Sequence, residues 1–312
     1  MPDDAAHNRP EDAAPGKIAV LGGSGFIGTH LTLFLLQMGY RLRLLHHRTD
    51  PDYVSPRGQI ESVPGSINDQ ESLERCFAGC SRVYHLVGII AETRTNTFQR
   101  TVAEGTRRVV DAARKAGVKK IFYLSALGAS DDAEIAYFRT KWEAEQAVRE
   151  SGLGYTIFRP SIVYGVRDEF INKIASMVKY LPVVPVIGDG RYRFQPVYVE
   201  ELAAIMAHAS RLDRTNGKIY EVGGPEQLTY MEILDIIKRV LGRKRLTVHI
   251  PISWVMMAAA VTEKVLKPAP LTRDQIRMLE KESVCDNTVV EKEFGVTFSR
   301  FELQLQKYLG KR

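Results

Sequence analysis

The chain has 312 residues, of which 45% are hydrophobic and 26% are charged, and its net charge at pH 7 is +6. This composition excludes a disordered chain and is typical of a globular protein that buries a sizeable core, as one large domain plus a smaller lobe. The basic balance suits an anionic ligand or an acidic membrane surface, whereas scattered lysines and arginines without an aromatic-basic strip argue against a nucleic-acid partner.

The start of the chain and its cysteines indicate the cellular compartment of the protein. Residues 1–15 are acidic and rich in proline and alanine, which predicts a disordered tail rather than a signal peptide. Cys76, Cys80 and Cys285 lack the spacing of a metal site or a disulfide framework, so we expect structural thiols, no metal and a reducing environment. We therefore expect a cytoplasmic protein, with peripheral contact at the inner membrane as the alternative.

Short apolar runs alternate with amphipathic stretches up to about residue 160. The strand-like runs lie at 17–21, 41–47, 60–63, 82–87, 120–125 and 155–159. The helix-like stretches lie at 27–38, 69–78, 97–116 and 137–151. This alternation predicts an α/β fold with a doubly wound parallel sheet, whose strands all end at one edge. We expect a ligand site along that edge.

Beyond residue 165 the pattern becomes mixed. "LPVVPVIGDG" (181–190) is rich in proline and closes on a turn, a strand-like run follows at 218–222, and helical patterns occur at 199–211, from Tyr230, and at 252–266, 272–282 and 299–309. We expect residues 166–312 to form mainly a smaller C-terminal substrate lobe, with some segments returning to the core of residues 16–165. The run "WVMMAAAV" (254–261) is too short to span a bilayer and predicts one buried helix, with a membrane-surface contact as the alternative.

The glycines after the first strand predict a dinucleotide site. The spacing Gly22-x-x-Gly25-x-x-Gly28 lies between a strand and a helix, where bare backbone can approach a pyrophosphate at the helix N-terminus. We expect the whole loop to contact the cofactor, namely Gly22, Gly23, Ser24, Gly25, Phe26, Ile27 and Gly28. Later strand ends at the same edge are expected to add Ser66, Ile67, Leu86, Val87, Pro160 and Ile162.

The end of the second strand bears on the choice of nucleotide. His46, His47 and Arg48 stand where an acidic residue would otherwise bind the ribose 2′-hydroxyl, and a basic group there accommodates a 2′-phosphate. This favours NADP(H). The alternative is NAD(H), with Arg48 as a solvated charge and Asp50 on the ribose.

Tyr137 and Lys141 are four residues apart, so a helix would place them on one face, and Ser125 ends the strand before it. An ammonium group near a phenol favours the phenolate, and the phenol could then exchange a proton while hydride passes to or from the cofactor. Lys141 would also bind the nicotinamide ribose, and Ser125 would orient the reacting oxygen. The alternative is a surface phenol, a solvated lysine and a serine cap.

The motifs "GGSGFIG", "RVYHLVG", "YFRTK", "TIFRPSIVYG" and "VYVEELA" resemble the short-chain dehydrogenase/reductase superfamily, in its extended and atypical branches. A closer likeness, in "SALGAS", "YFRTKWEAE", "GDGRYRFQPVYVEELA" and "PLTRDQIRMLE", is to the family of NADPH-binding accessory subunits of mitochondrial complex I and their bacterial relatives. The resemblance implies a Rossmann-type core, a nicotinamide dinucleotide, catalytic Ser125, Tyr137 and Lys141, and a segment at 159–165 beside the nicotinamide and the substrate.

The sequence departs from the superfamily pattern in two places. Val102 stands where members commonly have an asparagine, which weakens a proton relay through that helix. The segment from Ser125 to Tyr137 is shorter than in sugar epimerases, so sugar-nucleotide chemistry loses weight.

Together these features predict an NADP(H)-binding carbonyl reductase or alcohol dehydrogenase that acts on a small, fairly apolar molecule. One alternative is a non-catalytic structural or assembly protein, related to the complex I subunit and associated with a respiratory complex. The other is a nucleotide-sugar epimerase or dehydratase.

Overall fold

A computed structural model describes residues 16–47, 58–266 and 269–310 of the chain. The segment up to residue 160 forms the strands β1 (Ile18–Leu21), β2 (Leu42–His46), β3 (Ile60–Pro64), β4 (Arg82–His85), β5 (Lys120–Leu124) and β6 (Gly154–Pro160). The helices between them are α1 (Phe26–Gln37), α2 (Gln70–Phe77), α3 (Gly105–Lys115) and α4 (Ala136–Arg149), and a π-helical turn, Gln99–Glu104, precedes α3.

Seven further strands and seven further α-helices follow within the described ranges, together with a short 3-10 helix, Asp213–Thr215. The strands are β7 (Val163–Tyr164), β8 (Val183–Ile187), β9 (Arg193–Phe194), β10 (Val197–Tyr198), β11 (Lys218–Val222), β12 (Leu228–Thr229) and β13 (Leu246–Ile250). The helices are α5 (Ile171–Tyr180), α6 (Val199–Ala209), α7 (Tyr230–Val240), α8 (Ile252–Val265), α9 (Arg273–Glu280), α10 (Thr288–Phe294) and α11 (Phe301–Leu309).

Seven strands of the described residues form one sheet in the order β11-β6-β5-β4-β1-β2-β3. Every neighbouring pair is parallel. The carboxyl ends of all seven strands therefore meet at one edge, and the α/β fold class expected from the sequence is confirmed. The expected tail at 1–15 lies outside the described residues, and the division of the chain at residue 165 stays a prediction.

Helices cover both faces of the sheet because its strands are apolar on both sides. Along β1, Ile18 and Val20 face a core that α1 and α6 complete, whereas Ala19 and Leu21 face a core completed by α2, α3 and α4. The buried hydroxyl of Tyr84 donates to the carbonyl oxygen of Met206 in α6 over 2.6 Å. A third core cluster joins α5, α7, α11 and the small strands.

The proline-rich stretch at 181–190 contains β8, a strand that its prolines concealed. β8 pairs only with β13, so Pro185 lies in a two-stranded sheet where one side needs no ladder hydrogen bond. Val184 and Val186 alternate into the lobe core and are fully buried. The turn that we expected follows only at Gly188–Gly190, where both glycines have positive φ.

The expectation of a buried helix over "WVMMAAAV" is wrong. The helix exists as α8, but among its residues only Ala259 is fully buried, and Trp254 and Met257 are each 67% exposed. No helix in the described ranges combines the length and apolarity needed to cross a bilayer.

Candidate functional site

The glycine loop turns the chain from β1 into α1 through backbone that needs glycine at two positions. Gly22 has a φ of +81°, which disfavours any side chain. A Cβ on Gly28 would lie 2.0 Å from the Gly22 carbonyl oxygen, so α1 can pack this closely only with glycine there. Gly25 N–H donates to that same oxygen over 3.0 Å and closes the turn.

The N-terminus of α1 fits the pyrophosphate of a dinucleotide. Its N-cap is Gly25, without a side-chain hydrogen bond, and the first turn contains no acidic residue. A Cβ on Gly25 would meet only the Gly22 oxygen, at 3.1 Å, and otherwise open space. Free N–H groups and the positive end of the helix dipole therefore border space that an anionic group can occupy.

The loop after β4 connects this cradle with Lys141. The backbone of Leu86 and Val87 lies 3.2 Å from where a Cβ of Gly22 would stand. The next residue, Gly88, approaches α4 just as closely as Leu86 and Val87 approach Gly22. A Cβ on Gly88 would be 3.2 Å from Lys141 Nζ. The glycine loop, the end of β4 and the lysine thus adjoin at one edge of the sheet.

Lys141 is buried with its ammonium group turned toward β5. Nζ donates to the carbonyl oxygen of Leu124 over 2.8 Å and lies 5.2 Å from the centroid of the Tyr123 ring. Burial lowers the pKa of Lys141 to about 8, against an opposing contribution from Glu145. At pH 7 the side chain is still mostly a cation, which suits a bond to a ribose hydroxyl.

Tyr137 lies one turn before Lys141 on the same side of α4. Its ring packs edge-on against Phe98 and Phe138, and its hydroxyl has no hydrogen-bond partner among the described residues. Burial raises the pKa of Tyr137 to about 12. The expectation that Lys141 would lower this pKa is wrong for the protein without ligand, because the ammonium group bonds to Leu124 and burial dominates. The phenol is therefore a proton donor at neutral pH.

Ser125, directly after β5, donates its hydroxyl proton to a carboxylate that the sequence reasoning missed. The acceptor is Oε1 of Glu145, at 2.5 Å. Glu145 is fully buried and forms a bidentate ion pair with Arg159 of β6, at 2.9 and 2.7 Å. Glu145 follows Lys141 by four residues, as Lys141 follows Tyr137, so the spacing on one helix face could have revealed it.

The remaining expected cofactor residues follow β2 and β3, and they do not form one cluster. His47 is exposed after β2, whereas Arg48 and Asp50 lie outside the described residues. The Ser66 hydroxyl accepts from the Asn68 N–H, and Ile67 is buried against Gly105. These two residues shape the entry into α2.

The segment at 159–165 lies next to both parts of the site. The Pro160 carbonyl accepts from Leu127 N–H over 3.0 Å, just after Ser125. The ring of Phe26, in the first turn of α1, lies 3.4 Å from where a Cβ of Gly165 would stand. Ile162 accepts a backbone bond from Val197, at 2.9 Å, and Ile27 packs into the core under α1.

Val102 lies in the π-helical turn before α3. Its side chain is fully buried, and its carbonyl oxygen accepts from the Thr106 hydroxyl over 2.6 Å. An apolar side chain cannot relay protons.

The family model described as "NAD dependent epimerase/dehydratase family" matches residues 18–223 of this chain. That range contains β1 to β11, and hence the glycine loop, Ser125, Tyr137 and Lys141.

Two curated relatives match over most of the chain. NADH dehydrogenase (ubiquinone) 1 alpha subcomplex subunit 9, mitochondrial, of Arabidopsis thaliana is 29% identical over 93% of this chain and 75% of its own length. Ceramide reductase of Caulobacter vibrioides is 29% identical over 80% of this chain and 78% of its own length. Among solved structures, a Thermus thermophilus UDP-glucose 4-epimerase in complex with NAD superposes with a TM-score of 0.72 at 20% identity, covering 95% of this chain and 99% of that one. At this identity the likeness shows the fold alone.

Proposed function

Because this chain belongs to the NAD dependent epimerase/dehydratase family of nicotinamide-dinucleotide-binding proteins, we propose that it binds NADP(H) and reduces the carbonyl group of a fairly apolar small molecule. Three groups at the edge of the sheet carry the proposal: the glycine cradle, buried Lys141 and the protonated phenol of Tyr137. The adjacency of Gly88 and Lys141 Nζ is the observation that supports a single site most directly.

Reduction is favoured over oxidation by the protonation of the two side chains. When bound, a reduced nicotinamide supplies the hydride. Tyr137 would then give its proton to the carbonyl oxygen, since burial keeps the phenol protonated. The Ser125 hydroxyl already donates its hydrogen bond to Glu145. Toward the substrate it can therefore only accept a hydrogen bond, which suits the hydroxyl group that forms in a reduction.

The cofactor preference rests on the sequence at the end of β2. His47 is exposed there and Arg48 follows it in the sequence, so an imidazole and a guanidinium group are available for a 2′-phosphate. Lys141 would hold the nicotinamide ribose, and the N–H groups at the start of α1 would hold the pyrophosphate.

The name of the Caulobacter relative, ceramide reductase, makes long-chain carbonyl lipids of the ceramide class the first substrates to test. The experiment follows NADPH oxidation by the purified protein against a panel of such lipids and of shorter apolar ketones and aldehydes. Turnover that is lost in Tyr137→Phe supports the proposal. Turnover only with UDP- or GDP-sugars would replace it with the nucleotide-sugar alternative.

A second candidate function is a structural NADPH-binding subunit that performs no turnover and associates with a respiratory complex. Two observations favour it: the packing of Tyr137 between Phe98 and Phe138, and the Arabidopsis relative, named as a subunit of NADH dehydrogenase. A structural nucleotide should co-purify with the protein and exchange slowly, whereas the cofactor of a reductase should exchange within an assay.

A further inference from the structure

Exposed apolar side chains are concentrated in one part of the C-terminal lobe. Of the fifteen large hydrophobic residues that are exposed within the described ranges, ten lie in the segments 180–183, 246–248 and 254–266. We name these ten the apolar face: Tyr180, Leu181, Val183, Leu246, Val248, Trp254, Met257, Val261, Val265 and Leu266. Such a concentration on one lobe is typical of a surface that meets a partner.

Helix α8 contributes four of the ten side chains of the apolar face. Trp254, Met257, Val261 and Val265 are spaced by three, four and four residues, so they share one side of the helix, and they are 67%, 67%, 59% and 72% exposed. From Ile252 to Thr262 the helix contains no charged residue. A helix that is apolar on all sides needs cover on all sides, and the protein covers only one.

The two-stranded sheet that leads into α8 extends the apolar face. Leu246 is in register with Val183, and Val248 with Pro185, so these residues point to the same side. The other side, with Val184 and Val186, is buried in the lobe core. β13 passes directly into α8 through Pro251, so sheet and helix are continuous along the chain.

Basic side chains outnumber acidic ones in the segment that holds β13 and α8. Between residues 243 and 266 the basic side chains are Arg243, Lys244, Arg245 and Lys264, and the one acidic side chain is Glu263. Glu263 is neutralised by Arg273 of α9, at 2.8 Å. Within the described part of the chain, Arg243 and Lys244 are exposed and form no ion pair. The segment therefore presents uncompensated cations beside apolar side chains.

We propose that the apolar face docks on an anionic lipid bilayer, with α8 lying in the plane of the membrane surface. Trp254, Met257 and Val261 would enter the boundary between headgroups and acyl chains, and Arg243, Lys244 and Lys264 would meet the phosphate groups. The uncompensated cations favour lipid over a neutral apolar protein surface. The docking requires neither nucleotide nor turnover, so its test is independent of the proposed reductase activity.

The test is co-sedimentation of the full chain with vesicles, without nucleotide. Vesicles of equal parts phosphatidylcholine and phosphatidylglycerol should bind the protein, pure phosphatidylcholine should bind it much less, and added salt should weaken binding. Trp254→Asp/Val261→Asp should reduce the partition coefficient at least roughly tenfold, since two inserted apolar groups become charged. The matched control is Val289→Asp/Leu303→Asp, at positions 60% and 55% exposed outside the face, which should bind like the wild type.

The contribution of charge is tested separately. Arg243→Ala/Lys244→Ala should lower binding to anionic vesicles roughly thirtyfold, because each cation near such a surface contributes about 1 kcal/mol. Lys119→Ala/Lys218→Ala removes the same charge from exposed positions on the Rossmann core and should change binding little. Circular dichroism and melting temperature must show that all four double variants are folded.

Tryptophan fluorescence locates the contact. The chain has two tryptophans, and Trp142→Phe leaves Trp254 as the only reporter, whose emission should shift to the blue with anionic vesicles. Three results would overturn the proposal: no sedimentation of the wild type, unchanged binding of the Trp254→Asp/Val261→Asp variant, or an unshifted emission. A wild type that self-associates and ignores vesicles, but becomes monomeric with Trp254→Asp, would make the face a protein interface instead.

Discussion

The fully buried carboxylate of Glu145 accepts the hydroxyl proton of Ser125 and also pairs with the partly buried guanidinium of Arg159. One carboxylate thereby fixes the serine that follows β5 and the arginine that begins the segment 159–165. The three residues lie just after β5, in α4 and in β6, so the contact also connects the middle of the sheet with its covering helix.

Glu145→Gln should lower the free energy of unfolding by about 3–5 kcal/mol, because it removes the fully buried carboxylate from its two-bond pair with the partly buried Arg159 guanidinium. Glu221→Gln is the matched control. That carboxylate is 3.7 Å from the same guanidinium but half-exposed, and its loss should cost less than about 1 kcal/mol. Urea unfolding of both variants measures the difference, and equal costs would mean that the buried pair contributes little.

Tyr137→Phe should reduce the turnover of a verified carbonyl substrate by roughly 10²–10⁴, the usual contribution of a positioned proton donor. Nucleotide affinity and melting temperature should change little, since the hydroxyl bonds to no described residue. Tyr220→Phe provides a control, because Tyr220 is also buried and its pKa is likewise raised to about 12 by burial. Full activity of the Tyr137 variant would exclude this residue as the acid.

The pKa of Lys141 predicts a pH dependence of stability in the protein without nucleotide. It is about 8 in the folded chain and 10.5 for an ordinary lysine. Between these values the unfolded chain binds more protons, so stability rises with pH, whereas below pH 8 the cost of burying the cation is constant. Lys141→Met removes that cost, so its gain in unfolding free energy, roughly 3 kcal/mol at pH 7, should shrink toward pH 10.5. If the difference in unfolding free energy between Lys141→Met and the wild type did not change with pH, the lowered pKa of the buried Lys141 would be contradicted.

Gly25→Val should abolish nucleotide binding in a folded protein, because a branched side chain would fill the space above the start of α1. Gly25→Ala is the milder comparison, since its Cβ meets only the Gly22 oxygen at 3.1 Å. Titration by thermal shift, with circular dichroism as a check of folding, measures both. Normal binding by the valine variant would place the phosphate site elsewhere.

NADPH should bind more tightly than NADH, and Arg48→Ala should remove the preference. At a hundred times its dissociation constant, either ligand should stabilise the fold by about 2.7 kcal/mol, so saturating shifts alone do not discriminate. The midpoints of the two titrations do discriminate between NADPH and NADH. A wild-type preference for NADH would assign the ribose contact to Asp50.

Much of the architecture could be predicted because it depends on local pattern. The alternating runs gave the parallel sheet, and the resemblance inferred from "GGSGFIG" and "YFRTK" is confirmed by the family match. The spacing could have placed Glu145 on the same face of α4 as Lys141, but its bond to Ser125 could not be derived, since that depends on how β5 meets α4. Nor could the raised pKa of Tyr137, because the spacing to Lys141 does not tell where the ammonium group points. The exposure of α8 escaped prediction for a similar reason: periodicity shows that a helix is apolar, not what covers it.

The late position of β11 in the chain has a consequence for biosynthesis. β11 pairs along β6, and α6 supplies the carbonyl group that Tyr84 needs, yet both are made more than fifty residues after β5 is complete. A nascent chain that ends at residue 165 would leave β6 as an unpaired edge and one face of the sheet covered only by α1. We expect such a fragment to aggregate or to recruit chaperones, and the core to form cooperatively only after the first part of the lobe has been synthesised.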